Sequence, residues 1–529
     1  MLSLLSSYFP IVLLIYLMTK KNSMPSYKAL PLTALVVYLL MLSVFGRDPI
    51  HVHAVVIKGL LVAWTPILII AGAIFLFRTM EATGSLQTIR TWLNTISNNP
   101  VAQLMIVGWA FQFLIEGASG FGTPAALAAP VLVGLGFPPV RVAIFCLMLN
   151  SVPVSFGAVG TPTWFGLSEV SLSLQELSAV GFKTAVINGI AAFTTVFIAL
   201  AFMVKPAQLR TNAVFIVLSI LVCVLPYVLI ARMSFEFPAL IGGFVGLVAT
   251  VILAKLGVGL AGSEADADAD GSESQVTAAQ LAKATFPLWG TVLLLVVTRI
   301  PQLGIKPLLL LKEPAVNVGL GPLGDFSVSA ALVVSLTNIF GTPETWSHSV
   351  LYVPSLIPFI AISLVTLMLH KSGGGSRVLS ETVQQMRLPV FALLGALVFV
   401  NLMMMGEDQS AVALIGKHLA SLTGEYWQLF AAYLGAVGSF FSGSATISNL
   451  TFAGIQDAIA QELGLNRTTV LALQSVGGAM GNMVCINNIV AVASVLALSD
   501  SEGYILKRTV IGMLVYGIVA GLIGVLVFG

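Results

Sequence analysis

Apolar runs recur from one end of this chain to the other, at 2–19, 29–46, 55–78, 180–203, 211–230, 236–256, 388–405 and 509–528 among others. A helix needs roughly 20 apolar residues to cross the hydrocarbon layer of a bilayer. In lipid every backbone N–H and C=O must bond within the protein, so such runs fold as helices. Only 9% of the 529 residues are charged, against about 25% in a soluble domain. That is too few to solvate a surface of this size. The sequence therefore predicts an all-α polytopic membrane protein of about 12 to 14 spans.

The scarce charges orient the chain. Lys20, Lys21 and Lys28 follow the first run, whereas a signal peptide carries its charges first. Positive residues favour the cytoplasm, which puts the N-terminus outside; Lys507 and Arg508, ahead of the last span, do the same for the C-terminus. Residues 1–100 hold the N-terminal spans and, at 79–100, an interfacial helix that mixes Glu81, Arg90 and Trp92 with apolar positions. Residues 101–256 form a first repeat with a broken helix at 113–124. Residues 257–285 form a flexible cytoplasmic linker, since the acidic run at 264–270 and its Ser and Gly neighbours favour water. Residues 286–426 carry the second-half spans and an outer segment, 301–349, whose path the sequence does not assign. Residues 427–529 carry the second repeat motif, with a broken helix at 441–449, and the last span.

Several function classes fall away. A net charge of +2 with no basic tract gives no sign of a nucleic-acid partner. Cys146, Cys223 and Cys485 sit inside apolar segments without metal spacing and read as buried thiols. His51 and His53 form a His-x-His pair with no further ligand nearby, so a solvated outer loop is the simpler reading and no metal site is expected. The five histidines fall near span ends or in loops. The chain has no His-Glu-x-x-His, Gly-x-Ser-x-Gly or nucleotide loop, which argues against an enzyme, and no cofactor is expected.

One stretch interrupts the apolar pattern: Phe113-Leu-Ile-Glu-Gly-Ala-Ser-Gly-Phe-Gly-Thr-Pro124. Gly117, Gly120 and Gly122 weaken a helix here, and Pro124 disfavours helix at Thr123. Freed backbone groups are costly in lipid unless protein or water satisfies them, so a broken helix lining a cavity is expected, which is where transporters hold their substrates. A second interrupted span, 142–165, carries Asn150, Ser151, Ser155, Thr161 and Thr163 with Pro153 and Pro162. Both features recur later in the chain. Glu116-Gly117 aligns with Ser442-Gly443, and Asn150-Ser-Val with Gln474-Ser-Val at nearly the same offset. Between them, Leu135-Gly-Phe and Arg141 align with Leu463-Gly-Leu and Arg467. By the charge rule the two copies enter from opposite sides, as an inverted repeat with its site near the midplane. Close packing of small residues is the competing reading. An ion channel would more naturally build rings from an oligomer than such a repeat.

A small carboxylate needs donors that water does not already hold, and half-helix N-termini supply free N–H groups. Backbone after Gly120 and after Thr446 could meet the anion from opposite sides. Ser119, Phe121, Gly122, Thr123, Asn150, Ser444, Ser448 and Asn449 complete the expected site from the two breaks. Glu116 is the candidate proton site, because a poorly solvated carboxyl can take up and release a proton as its surroundings change. A structural carboxylate tying down helix N-termini is the alternative for Glu116.

The block 113–163, with Phe-Leu-Ile-Glu-Gly-Ala-Ser-Gly-Phe-Gly-Thr-Pro, Val-Gly-Leu-Gly-Phe-Pro-Pro and Asn-Ser-Val-Pro-Val-Ser-Phe-Gly-Ala-Val-Gly-Thr-Pro, closely resembles the lactate permease family. Ser442-Gly-Ser-Ala-Thr-Ile-Ser-Asn449 is a looser match in the second half. The resemblance implies a secondary active transporter, a proton-coupled symporter of lactate, glycolate or a related 2-hydroxy acid in a bacterial or archaeal inner membrane. Its partners would be the carboxylate, protons and the bilayer; oligomeric state is left open. It also implies an aspartate where this chain has Ala445, a lysine at the substrate-site position Asn482 and a proline at Ile486. Those departures keep a different small organic anion as an alternative, ahead of an anion channel or a membrane-embedded enzyme.

Overall fold

The structure, a computed structural model, describes residues 2–19, 24–118, 120, 123–261, 276–299, 303–353, 356–406, 409–496, 498 and 501–529. Among them, eight helices are long and apolar enough to cross a membrane, and nine if the pair Pro139–Asn150 and Val154–Trp164, bent by 56°, counts as one span. The chain is a multi-pass helical membrane protein. Residues 262–275, the body of the expected linker, lie outside the described residues.

Two compact units interleave along the sequence. The first comprises Met1–Thr83, Pro287–Gly424 and Ala453–Gly464. Its centre is the long helix Gly375–Met404, which packs on Ser26–Ser43, Pro49–Val62 and Trp64–Ala82. Close approach explains the packing: a Cβ on Gly395 would lie 2.4 Å from the Pro31 backbone nitrogen.

The segment 303–349, part of the expected outer segment, is where the chain leaves the helical pattern. It forms four antiparallel strands in sequence order, β1 Ala315–Gly319, β2 Asp325–Ser329, β3 Val333–Thr337 and β4 Trp346–Ser349. Valines and hydroxyl residues alternate here, a pattern that suits a pleated surface. Leu336 and Ile339 bury against Ala54 of the helix Pro49–Val62. Glu344 accepts from Lys58 Nζ at 2.9 Å and pairs with His51 Nε2 at 3.1 Å. The His-x-His pair is thus divided: His51 meets Glu344, while His53 Nε2 bonds Tyr38 OH at 2.9 Å.

The second unit comprises Gly84–Phe286, Glu425–Phe452 and Leu465–Gly529, so it gathers both breaks. The amphipathic helix Ser85–Asn94 lies where an interfacial helix is expected. A π-helical stretch, Leu104–Phe111, leads into the helix Gln112–Ala118. Two segments then share one order of elements. Gln112–Ala118, a break, Thr123–Gly134, a turn and Pro139–Asn150 are followed by a short 3₁₀ turn, Val154–Phe156, and Gly157–Trp164. Trp427–Ser442, a break, Ala445–Glu462, a turn and Arg467–Met480 are followed by the 3₁₀ turn Gly481–Val484 and Ile486–Val495. Arg467 pairs with Glu176 Oε1 at 3.1 Å, whereas Arg141, its counterpart in the first turn, is exposed.

Candidate functional site

Glycine makes each break. Gly120 has φ 61° and Gly443 has φ 72°, the left-handed region that costs a residue with a Cβ and costs glycine little. Gly443 ends the helix Trp427–Ser442, and Ser444 Oγ accepts from Ile447 N at 3.3 Å in the first turn of the next. A third left-handed run follows the 3₁₀ turn of the first segment: Ala158 (φ 43°), Val159 (φ 56°) and Gly160 (φ 70°). For a β-branched residue such as Val159 this is strained, and strain of that kind persists only where the surroundings hold it.

The surroundings do hold it, through side chains that satisfy the freed carbonyls, each of which would otherwise be costly in a bilayer. Thr161 Oγ1 donates to Ala158 O at 2.6 Å and Trp164 Nε1 to Val159 O at 3.0 Å. Thr163 Oγ1 donates to Ser155 O at 2.8 Å. Asn449 Nδ2, from the helix Ala445–Glu462, donates to Pro162 O at 2.9 Å.

These breaks enclose one small cavity of about 20 Å³. Its walls are Glu116, Gly120, Val154, Gly157, Ala158 and Pro162 from the segment 112–164 and Gly443, Ser444, Ala445, Thr446 and Asn482 from the segment 427–495. That is room for roughly one water. Glu116 is 2% exposed. Asn150 Nδ2 donates to Glu116 Oε2 at 3.1 Å, and Gly157 leaves the space for the other oxygen, since a Cβ there would sit 2.2 Å from Oε1. Among the described lining residues there is no Lys, Arg or His.

Of the residues expected at a substrate site, Gly120, Ser444, Thr446 and Asn482 line this cavity, together with Glu116. Asn150 stands behind Glu116. Ser119, Phe121 and Gly122 lie outside the described residues, as does the side chain of Thr123. Ser448 and Asn449 do not reach the cavity, because other bonds hold them: Ser448 Oγ donates to Gly435 O at 2.6 Å, and Asn449 carries the link to Pro162. Gln474 Nε2 in turn donates to Ser448 Oγ at 3.2 Å and to Asn449 Oδ1 at 3.3 Å. The sequence reading did not place Val154, Gly157, Ala158 and Pro162 at the site; their signal was the Pro and Gly interruptions of 142–165. Ala445 and Asn482, two of the three departures from the resembled family, both face the cavity. Asn482 Oδ1 accepts a hydrogen bond from Asn488 Nδ2.

A family model described as L-lactate permease matches residues 3–528. A Haemophilus influenzae relative is 49% identical over 524 residues, covering 99% of this chain and 98% of its own. The L-lactate permease of Salmonella typhimurium is 26% identical over 546 residues, 99% of this chain and 95% of its own. The glycolate permease of Escherichia coli is 25% identical over 492 residues, 88% of this chain and 84% of its own. With a family match that spans nearly its whole length, this chain belongs to the L-lactate permease family.

Proposed function

We propose that the protein is a secondary active transporter, not an enzyme, that carries a small 2-hydroxy monocarboxylate such as lactate or glycolate together with a proton across a bacterial or archaeal inner membrane. The observation that carries this reading is the placement of Glu116, the only acidic residue among the described residues that line a cavity walled by both breaks. With no cation among the described lining residues, a carboxylate entering beside an ionised Glu116 would meet like charge. A proton on Glu116 removes that repulsion, so proton and anion favour each other's binding, which is the linkage a symporter needs. Gly120, Ser444, Thr446 and Asn482 are the assigned substrate contacts, with Ser119, Phe121, Gly122 and Thr123 completing the first break. Asn150 Oδ1 is buried and accepts no hydrogen bond from the described residues. Asn150 does not line the closed cavity, and we assign its Oδ1 to the substrate's 2-hydroxyl in the state in which a break has moved. The two segments 101–165 and 427–498 are read as inverted copies that rock about this site.

Neutral Ala445 and Asn482 in the cavity favour a second reading, transport of another small organic anion by the same route. Reconstituted proteoliposomes test both. With an acidic exterior and labelled L-lactate outside, saturable accumulation above equilibrium that a protonophore abolishes supports the first reading. The same behaviour with a different acid, and none with lactate, supports the second. Flux that never saturates and ignores the pH gradient sinks the symport reading.

A further inference from the structure

We propose that Asn188 is a positioning residue of the transport site, one that sets the wall of the first break and ties it to the second repeat without touching the cavity. The inference rests on the reading of that cavity as the transport site. Asn188 lies in the middle of the helix Leu174–Met203 and is fully buried. Both of its amide hydrogens and its carbonyl oxygen are engaged. Nδ2 donates to Ser155 Oγ at 3.0 Å and to Tyr227 OH at 3.0 Å, while Oδ1 accepts from Tyr516 OH at 2.8 Å.

Proton counting fixes the direction of every bond. Ser155 Oγ lies 3.1 Å from the carbonyl oxygen of Ser475, which can only accept, so the single hydroxyl proton of Ser155 goes there. Ser155 must then accept from Asn188, which orients the amide. The second amide hydrogen goes to Tyr227, whose own proton points to Val152 O at 3.5 Å. Tyr516 donates to the remaining oxygen. One amide thus anchors Ser155, next to the cavity residue Val154, and sets the Tyr227 hydroxyl near Val152 on its other side. Through Ser155 it also reaches the helix Arg467–Met480 of the second repeat. The ring of Tyr227 completes the frame, packing edge-on against Phe156 at 5.3 Å and against Phe113, one turn before Glu116, at 5.4 Å. A buried network of this kind is stable only when every member is satisfied, so losing one bond moves the others.

An aspartate at 188 keeps the volume and loses the donors. Ser155 would then have to donate to the new carboxyl and release Ser475. The test is uptake kinetics in proteoliposomes for Asn188→Asp, Ser155→Ala and the double variant Asn188→Asp/Ser155→Ala, with labelled L-lactate and with the amount of folded protein measured in each case. The expected result is a KM raised about ten-fold in each single variant, and no rise in the double variant beyond that of Asn188→Asp, in which the Ser155 bond is already lost. Tyr516→Phe, which leaves the Ser155 bond in place, should raise KM less than either. An unchanged KM, with only the protein amount or maximal rate reduced, overturns the inference and leaves Asn188 a packing residue; so does a KM rise that multiplies in the double variant. If Asn188→Asp does not fold, Ser155→Ala alone decides: a raised KM supports the inference and an unchanged one overturns it. Wild-type protein that accumulates no small carboxylate would overturn the transport-site reading itself, so the two failures are distinct.

Discussion

Asn150 donates from Nδ2 to Glu116 Oε2 across 3.1 Å, while its Oδ1 is buried and accepts nothing from the described residues. On the proposed reading, one amide holds the carboxyl assigned to the proton and offers its free oxygen to a substrate admitted when a break moves. A buried polar atom left without a partner costs about 1–3 kcal/mol, so the site gains most from a substrate that carries a donor next to its carboxylate. Asn150→Ala should therefore erase the preference for lactate over propionate, which lacks the hydroxyl. A fall in that preference of at least ten-fold is expected, read as the ratio of their kcat/KM values for uptake. An unchanged ratio would take the hydroxyl contact away from Asn150.

Gly157 offers a purely steric test. Its φ is −61° and ψ 157°, which any residue can adopt, so alanine costs the backbone nothing. The added Cβ would nevertheless sit 2.2 Å from Glu116 Oε1, and the carboxyl must move. Gly157→Ala should reach the membrane in normal amount and lose transport by ten-fold or more, since displacements of about 1 Å at a site carry penalties of that size. Gly503→Ala, where nothing lies within 4 Å, should leave uptake unchanged. Full activity in Gly157→Ala would mean that the Glu116 carboxyl can turn without consequence.

The sheet at 315–349 should respond to pH through Glu344. Burial pushes this carboxyl up, and hydrogen bonds from Lys58 and His51 outweigh burial and hold it below its usual 4.5. A carboxyl lowered by folding stabilises the attached state fully above its unfolded value, and that contribution is lost as pH falls through the lowered folded value. The sheet should thus be firmly docked at neutral pH and loosen only below about pH 4.5. Hydrogen exchange over 325–349 should rise at acid pH in the wild type. Glu344→Gln should show raised exchange already at pH 7. Equal exchange in the two proteins at pH 7 would dismiss the clamp.

How much of this was legible beforehand differs from residue to residue. Both breaks were, because Gly120 and Gly443 stand among hydroxyls inside apolar runs, and few structures in a bilayer accommodate that. Glu116 was legible because a lone carboxylate there demands a reason. The bonds that hold the breaks were not. Asn188 and Tyr516 are 328 residues apart, and nothing near either in sequence names the other. Asn449 was expected beside the substrate by the same reasoning that singled out Ser444, yet only the packing of helices decides that Ser444 and not Asn449 faces the cavity. The sheet was hidden by its setting: Phe326, Val328, Val333 and Leu336 read as a short apolar piece, and their alternation with serines is a strand signal that a helical membrane chain makes easy to overlook.

Glu116→Gln is the variant that separates transport from coupling. Glutamine keeps the volume and mimics the protonated carboxyl, so the carboxylate should still bind and the breaks should still move. What glutamine cannot do is release a proton. A loaded carrier can therefore return with a second anion, but it has no step in which a proton gradient does work. Exchange of labelled lactate against unlabelled lactate across a proteoliposome membrane should continue near the wild-type rate. Accumulation driven by an acidic exterior should disappear. The pair of measurements matters more than either alone, because a structural carboxylate that merely ties down the helix ends would cost both activities when replaced. Should Glu116→Gln lose exchange and accumulation together, Glu116 is part of the frame; should it keep both, the coupling proton rides on another group.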